Sequence, residues 1–252
     1  MFLIYIVIQL NFCYTLSYYM EKSSNFGKLY IVATPIGNLS DMTFRAVEIL
    51  KSVDCILCED TRTTKKLLDH YEIKNRTLSF HTHSGLAKVS EIKDLIREGK
   101  SLALVSDAGT PCISDPGVML VAELRKEFGN EIIVSPIPGA SALISALSAS
   151  GLPAHEFSWK GFVPHKKGRE TFFKDIRDTE VTVIFYESVH RFLKTMESLA
   201  LIIPDRQIVV AREITKMFEE FKKGTVSEIY DYYVQNQDRV RGEFVIMIGP
   251  RK

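Results

Sequence analysis

From Gly27 to the C-terminus, short continuous apolar runs alternate with amphipathic stretches. Lys28 to Ala33, Val53 to Cys58, Thr77 to Phe80, Ser101 to Val105 and Glu131 to Val134 read as strands. Between them, helices are predicted from Asp41, as cap, to Lys51, from Arg62 to His70, from Leu86 to Arg97 and from Val118 to Phe128. Strands that are apolar throughout are covered on both faces, so this half predicts a mostly parallel sheet between helix layers. Ser135-Pro136-Ile137-Pro138 breaks the pattern and reads as a linker, followed by a small-residue helix from Ala140 to Ser150. Beyond it, strand-like runs at Glu156–Phe162, Val181–Tyr186, Gln207–Ala211, Met217–Lys222 and Glu243–Ile248 come with fewer helices. Some of these lie close enough to pair antiparallel, which predicts a mixed sheet. The expected fold is therefore α/β, with one α/β domain over 27–136 and a second over 137–252. Ligands of such sheets bind at the carboxyl ends of strands or between domains.

The first 26 residues stand apart. Residues 1–20 carry no charge, yet the unbroken apolar run ends at Ile8, and Gln9, Asn11, Thr15 and Ser17 punctuate the remainder. A secretory signal would open on positive charge and close on small residues. The segment is expected to lie outside the fold, as an upstream extension with Met20 as the start, as a loose tail, or as a targeting or anchoring element.

Composition narrows the class. Hydrophobic residues at 46% and charged residues at 25% suit a globular chain of 252 residues and exclude disorder and disulfide-stapled scaffolds. Lys plus Arg (32) nearly cancels Asp plus Glu (31), so any nucleic-acid partner has to be met by a local basic patch. Cys55 and Cys58 form a C-x-x-C inside a strand, not at a helix start, and no second ligand pair follows. They read as small buried hydrophobes on opposite faces. His81-Thr82-His83 lacks a further ligand at suggestive spacing, so no metal site is expected.

Neither G-x-G-x-x-G nor G-x-x-x-x-G-K-[ST] occurs, against the common dinucleotide and NTP sites. Instead, Pro and Gly fall together after strands: Pro35-Ile36-Gly37, Gly109-Thr110-Pro111, Asp115-Pro116-Gly117 and Pro138-Gly139. Glycine lets the backbone approach a ligand, and proline stiffens the turn. The longest such loop, Ser106 to Gly117, could hold the amino and carboxylate ends of an amino-acid-like ligand on its backbone.

Leu29 to Leu39, Glu59-Asp60-Thr61-Arg62, Ser106 to Gly117, Pro138 to Ala142, Phe185 to Arg191, Arg212 to Lys216 and Gly242-Glu243 occur in order. Together they resemble the ribosomal RNA small subunit methyltransferase I family, within the tetrapyrrole methylase superfamily. Ala33 and Ala140 stand where that family often has proline. The resemblance implies two α/β domains of the tetrapyrrole methylase type with the cofactor cleft between them, S-adenosyl-L-methionine as methyl donor, and a homodimer. It implies 2′-O-methylation of a cytidine in the decoding region of 16S rRNA, within assembled 30S subunits in the cytoplasm, and no membrane role. Cofactor residues expected on this basis are Pro35, Gly37, Asp107, Ala108, Gly109, Thr110, Ile113 and Ser114. In the later motifs they are Pro138, Gly139, Ala140, Ser141, Ala142, Tyr186, Glu187, Ala211 and Gly242. Alternatives are a methylase of a small corrinoid and a non-catalytic cofactor-binding module.

Methylating a hydroxyl requires alignment of donor and oxygen and removal of a proton. Glu59, Asp60, His81, His83, Asp107 and Glu187 are candidate bases, and Arg62 could lower the hydroxyl pKa; Glu59, Asp60 and Arg62 are the catalytic set expected. Lys166, Lys167 and Arg169 form the densest basic stretch, with His190 and Arg191 as further RNA contacts. Lys166→Glu with Arg169→Glu is expected to weaken RNA binding and spare the cofactor.

Overall fold

The apolar runs of the first half form five strands in a computed structural model that describes residues 26–81 and 84–251. The N-terminal extension up to residue 25, with the anchoring and start-site readings, lies outside the described residues, as do Thr82 and His83 of the histidine pair. Phe26, assigned from sequence to the extension, instead packs its ring 4.8 Å from that of Phe128.

In chain order the elements are β1 (Lys28–Val32), α1 (Phe44–Ser52), β2 (Cys55–Cys58), α2 (Thr61–His70) and β3 (Thr77–Ser79). Then come α3 (Leu86–Arg97), β4 (Leu102–Val105), α4 (Val118–Phe128) and β5 (Ile133–Ile137). The sheet order is β3-β2-β4-β1-β5, and every pair is parallel. Alternate residues face opposite helix layers, as the strand period requires. Leu57, Leu102 and Leu104 meet α3 and α4 through Ile92, Ile96, Leu120 and Leu124. Ile56, Ala103 and Val105 meet α1 and α2 through Ala46, Leu50 and Leu68. Cys55 lies in the first of these cores and Cys58 in the second. Burial pushes both thiols up in pKa.

Two sequence readings change. Asp41 does not cap α1: it ends a short 3-10 turn, Leu39–Asp41, and Thr43 Oγ1 accepts from the Ala46 N–H at 3.1 Å instead. A threonine hydroxyl in this position satisfies an amide that the helix itself leaves orphaned. Ser135-Pro136-Ile137 is no linker but the end of β5, with Pro136 in register with Ile31 and Ile137 with Val32. β5 is an edge strand, where a residue without an N–H is tolerated. The chain therefore leaves the first sheet after Ile137.

The second half comprises α5 (Ala142–Ser150), β6 (Phe157–Phe162), α6 (Arg169–Asp178), β7 (Thr182–Glu187) and α7 (Val189–Ile202). It ends with β8 (Gln207–Arg212), β9 (Glu220–Thr225), α8 (Val226–Gln235) and β10 (Phe244–Ile248). Its sheet, β6-β7-β10-β8-β9, is mixed: β6 and β7 are parallel and the other pairs antiparallel. One face packs on α6, α7 and α8. The other buries Ile184, Val209, Ala211, Val245 and Met247 against Leu143, Ala146 and Leu147 of α5 and against Ile36 from the first half. That shared apolar cluster joins the two halves beside the loops that follow β1 and β4. Among the described residues no helix is long and apolar enough to cross a membrane.

Candidate active site

β1 and β4 are neighbours, but the chain leaves them in opposite directions across the sheet, toward β2 and toward β5. Right-handed crossovers then place these connections on opposite faces and open a crevice beyond the strand ends. The two loops are stitched together there. Thr34 N–H donates to Gly109 O at 2.9 Å, and Gly109 N–H donates to Thr34 O at 3.0 Å. The Thr34 hydroxyl donates to Ser106 O at 3.2 Å. Past this point the β4 loop is wound tightly, with Cys112 and Ser114 at φ of 70° and 68°. Non-glycine residues in that region mark a backbone held by its surroundings, often at a binding site. Gly117 (φ 129°) closes the loop, where a Cβ would sit 2.5 Å from Leu104 Cδ2 and 2.6 Å from Cys112 Sγ. Only glycine fits such an approach.

Two cavities open at the crevice. The larger, about 460 Å³, lies between the β4 loop, the start of α5, the end of β7 and Gly242-Glu243, which lead into β10. Of the expected cofactor residues, Asp107, Ala108, Gly109, Thr110, Ile113, Ser114, Ser141, Ala142, Tyr186, Glu187 and Gly242 line it. The smaller, about 340 Å³, lies against α2 and takes Pro35, Gly37, Asp107 and Ala108. Pro138, Gly139, Ala140 and Ala211 line neither. Ala140 O accepts from the Thr110 hydroxyl at 3.1 Å, and Ala211 is fully buried in the second sheet. Sequence reasoning missed Ile36, Asp115, Phe162, Ser188, Ile214 and Glu243 as lining residues. Ile36, Asp115, Ser188, Ile214 and Glu243 all lie inside motifs already singled out; Phe162 carried no signal beyond being aromatic.

The larger cavity is acidic. Asp107, Asp115, Glu187 and Glu243 line it, and no lysine or arginine does. Burial, together with the nearby charges of Glu59 and Asp107, pushes the Asp115 carboxyl up to about 6, although a hydrogen bond from Ser106 opposes this. Burial likewise takes the Tyr186 hydroxyl up to about 12. Tyr186 Oη accepts from the Leu143 N–H at 3.0 Å, and its ring meets Trp159 and Phe162 edge-on, with centroids 4.5 and 5.3 Å away. Phe162 is 54% exposed and offers its ring to the cavity.

The Asp115 shift has a stability consequence. Well below pH 3.8 the folded and unfolded chains both hold the proton. As pH rises to about 6 the unfolded chain ionises first, so this group costs stability across that window and at a constant level above it. Asp115→Asn is expected to leave Tm nearly unchanged at pH 3.5 and to raise it increasingly up to pH 7. A Tm difference independent of pH would contradict this.

Glu59, Asp60 and Arg62 line neither cavity. Asp60 caps α2 and accepts from the Arg62 backbone N–H at 2.8 Å, and Arg62 Nη2 reaches its other oxygen at 2.7 Å. These bonds hold the Asp60 carboxyl down to about 2. The Asp60 N–H donates to Asp107 Oδ1 at 3.2 Å, so the motif positions a carboxylate that does line the cavities. Burial, then the Asp107 charge, raises the Glu59 carboxyl.

The basic stretch divides. Lys166, Lys167 and His190 are exposed. Arg169 and Arg191 turn inward onto Glu187, whose side chain is 0% exposed. Arg191 Nη2 lies 2.7 Å from Glu187 Oε1, and Arg169 Nη1 lies 3.9 Å from Oε2. Arg169→Glu would set a second carboxylate against Glu187, so it is a poor probe of RNA contact. Lys166→Glu with Lys167→Glu is the cleaner pair. It is expected to weaken RNA binding about tenfold or more and to reduce the salt slope by about 2. A salt titration with unchanged slope would remove this loop from the interface.

Residues 28–230 match the family described as Tetrapyrrole (Corrin/Porphyrin) Methylases. The chain is 46% identical over 229 residues to ribosomal RNA small subunit methyltransferase I of Halalkalibacterium halodurans, covering 90% of this chain and 78% of the relative. It is 43% identical over 226 residues to the protein of that name in Thermotoga maritima, covering 90% of this chain and 100% of the relative. Its fold is similar to that of uroporphyrin-III C-methyl transferase from Thermus thermophilus, solved complexed with S-adenyl homocysteine. The TM-score is 0.59, with 18% identity, over 88% of this chain and 97% of the other.

Proposed function

Since this chain belongs to the tetrapyrrole (corrin/porphyrin) methylases, with ribosomal RNA small subunit methyltransferase I proteins as relatives, we propose that it methylates the ribose 2′-hydroxyl of a decoding-region cytidine. It is a methyltransferase that uses S-adenosyl-L-methionine and acts on small-subunit rRNA. The finer reading adds the assembled 30S particle as substrate, a homodimer, and the cytoplasm as the place of work.

The observation that carries the donor assignment is the charge of the larger cavity. Four carboxylates and no cation line it. Glu187 is engaged by Arg191 and Glu243 by Lys216, which leaves Asp107 and Asp115 to suit a ligand bearing a sulfonium and an ammonium and to disfavour a dinucleotide diphosphate. Backbone at Ala108, Gly109 and Ser141, and the face of Phe162, supply the remaining polar and apolar contacts for an aminoacyl chain and a purine. When bound, S-adenosyl-L-methionine supplies an activated methyl group: a new C–O bond forms as the C–S bond breaks, with the electron pair left on sulfur.

Asp107 takes the hydroxyl proton in this reading. It lines both cavities, is exposed to them, and is oriented by the Asp60 N–H. The other carboxylate common to both, Glu243, is engaged by Lys216 Nζ at 2.8 Å. The test is transfer of labelled methyl to 30S particles lacking the modification, run beside a corrinoid acceptor. Label in the 30S RNA supports the reading; label only in the corrinoid, or none, overturns it.

A further inference from the structure

We infer that the smaller cavity seats one extruded ribonucleotide, its phosphate on Lys66 and its ribose toward Asp107; this rests on the rRNA-methylating reading above. The two cavities are contiguous, sharing Ile36, Asp107, Ala108 and Glu243, so a group in one can reach a group in the other at that boundary. Their charges differ. The larger has carboxylates alone, whereas the smaller adds Lys66 and Lys216 to the two carboxylates at the boundary. A cationic donor and an anionic acceptor are thus sorted to opposite sides of the reacting atoms.

The cations play separate roles. Lys216 crosses Gly37 so closely that a Cβ there would lie 2.5 Å from its Cγ. Its ammonium is fixed between Glu213 and Glu243, at 2.9 and 2.8 Å. Lys66 is exposed on α2, one turn from Thr63 on the same face, while Thr64 and Leu68 are buried against the sheet. Lys66 and the Thr63 hydroxyl can therefore meet a phosphate, and Pro35, Leu39 and Leu67 give an apolar surface for a base. A cavity of this size admits a single nucleotide but not a stacked pair, so the target must leave its helix or lie in a single strand. The acceptor oxygen gives its proton to Asp107 and gains the methyl carbon, and Asp107 returns the proton to water.

The test measures RNA binding without donor. A fluorescent single-stranded octaribonucleotide containing cytidines is titrated by anisotropy into the full chain and into Lys66→Glu, Lys66→Arg and Leu39→Trp. S-adenosyl-L-methionine binding is followed separately by calorimetry. Lys66→Glu tests the phosphate contact, and Leu39→Trp fills the cavity without changing charge. Both are expected to weaken RNA binding about tenfold or more and to raise KM for 30S particles, with donor affinity within about twofold of native and Lys66→Arg near native. RNA affinity and KM unchanged in either Lys66→Glu or Leu39→Trp would overturn the seat, as would an equal loss of donor binding. Native protein that methylates 30S while these variants bind RNA normally removes the seat alone; native protein that methylates no 30S removes the rRNA reading itself.

Discussion

Glu187→Ala is expected to destabilise the folded chain by roughly 3–5 kcal/mol, because it strands two arginines in a site built around one carboxylate. Both oxygens of Glu187 are engaged. Oε1 accepts from the Ser188 N–H at 2.7 Å and meets Arg191, and Oε2 accepts from the Thr195 hydroxyl at 2.6 Å. The side chains of Arg169 and Arg191 are only 15% and 19% exposed, so water cannot replace the missing charge. Burial lowers the Arg169 pKa and the Glu187 charge opposes this, so removing the carboxylate removes the attraction that favours the charged guanidinium. The effect should spread outward. Arg191 Nη1 donates to Val163 O at 2.8 Å and Arg169 Nη2 to the Thr195 hydroxyl at 2.9 Å, holding the segment that presents Lys166 and Lys167. Urea unfolding measures the loss; a change below about 1 kcal/mol would mean that the cluster is solvated and does not organise this wall.

Asp107→Asn is expected to reduce kcat by roughly 10²–10⁴-fold, the range for removing a general base. Asparagine keeps the shape and can still accept from the Asp60 N–H, so the loop stays in place. At the boundary of the two cavities the other carboxylate, Glu243, is held by Lys216, so the nearest acceptor of the proton is lost. Single-turnover kinetics on 30S particles measure it. A defect confined to KM for the donor would move Asp107 to donor binding and leave the proton to another group.

Much of the fold was legible because its signals are local. Four-residue strands such as Leu102–Val105, buried at every position, announce a sheet covered on both faces, and Leu86–Arg97 shows its helical period outright. β5 was misread because proline punctuation looks the same in a linker and at a sheet edge, and the edge position of Pro136 is a tertiary fact. The site was legible as motifs, less so as roles. Glu59-Asp60-Thr61-Arg62 looked like chemistry, yet Asp60 spends itself on capping α2 and on orienting Asp107. Arg169 and Arg191 looked like RNA contacts because sequence shows charge but not the carboxylate that meets it across the fold. Lys66 drew no notice among the lysines of α2. It gains meaning only from the cavity that Pro35, Gly37 and Lys216 form around it.

The most direct measurement is the chemical identity of the methylated nucleoside. The protein is incubated with labelled S-adenosyl-L-methionine and undermethylated 30S particles, and the RNA is digested to nucleosides for mass spectrometry. A single labelled product, cytidine carrying the methyl on its ribose 2′-oxygen, is the predicted result. Label on a base, or no label in any cytidine ribose, would contradict it.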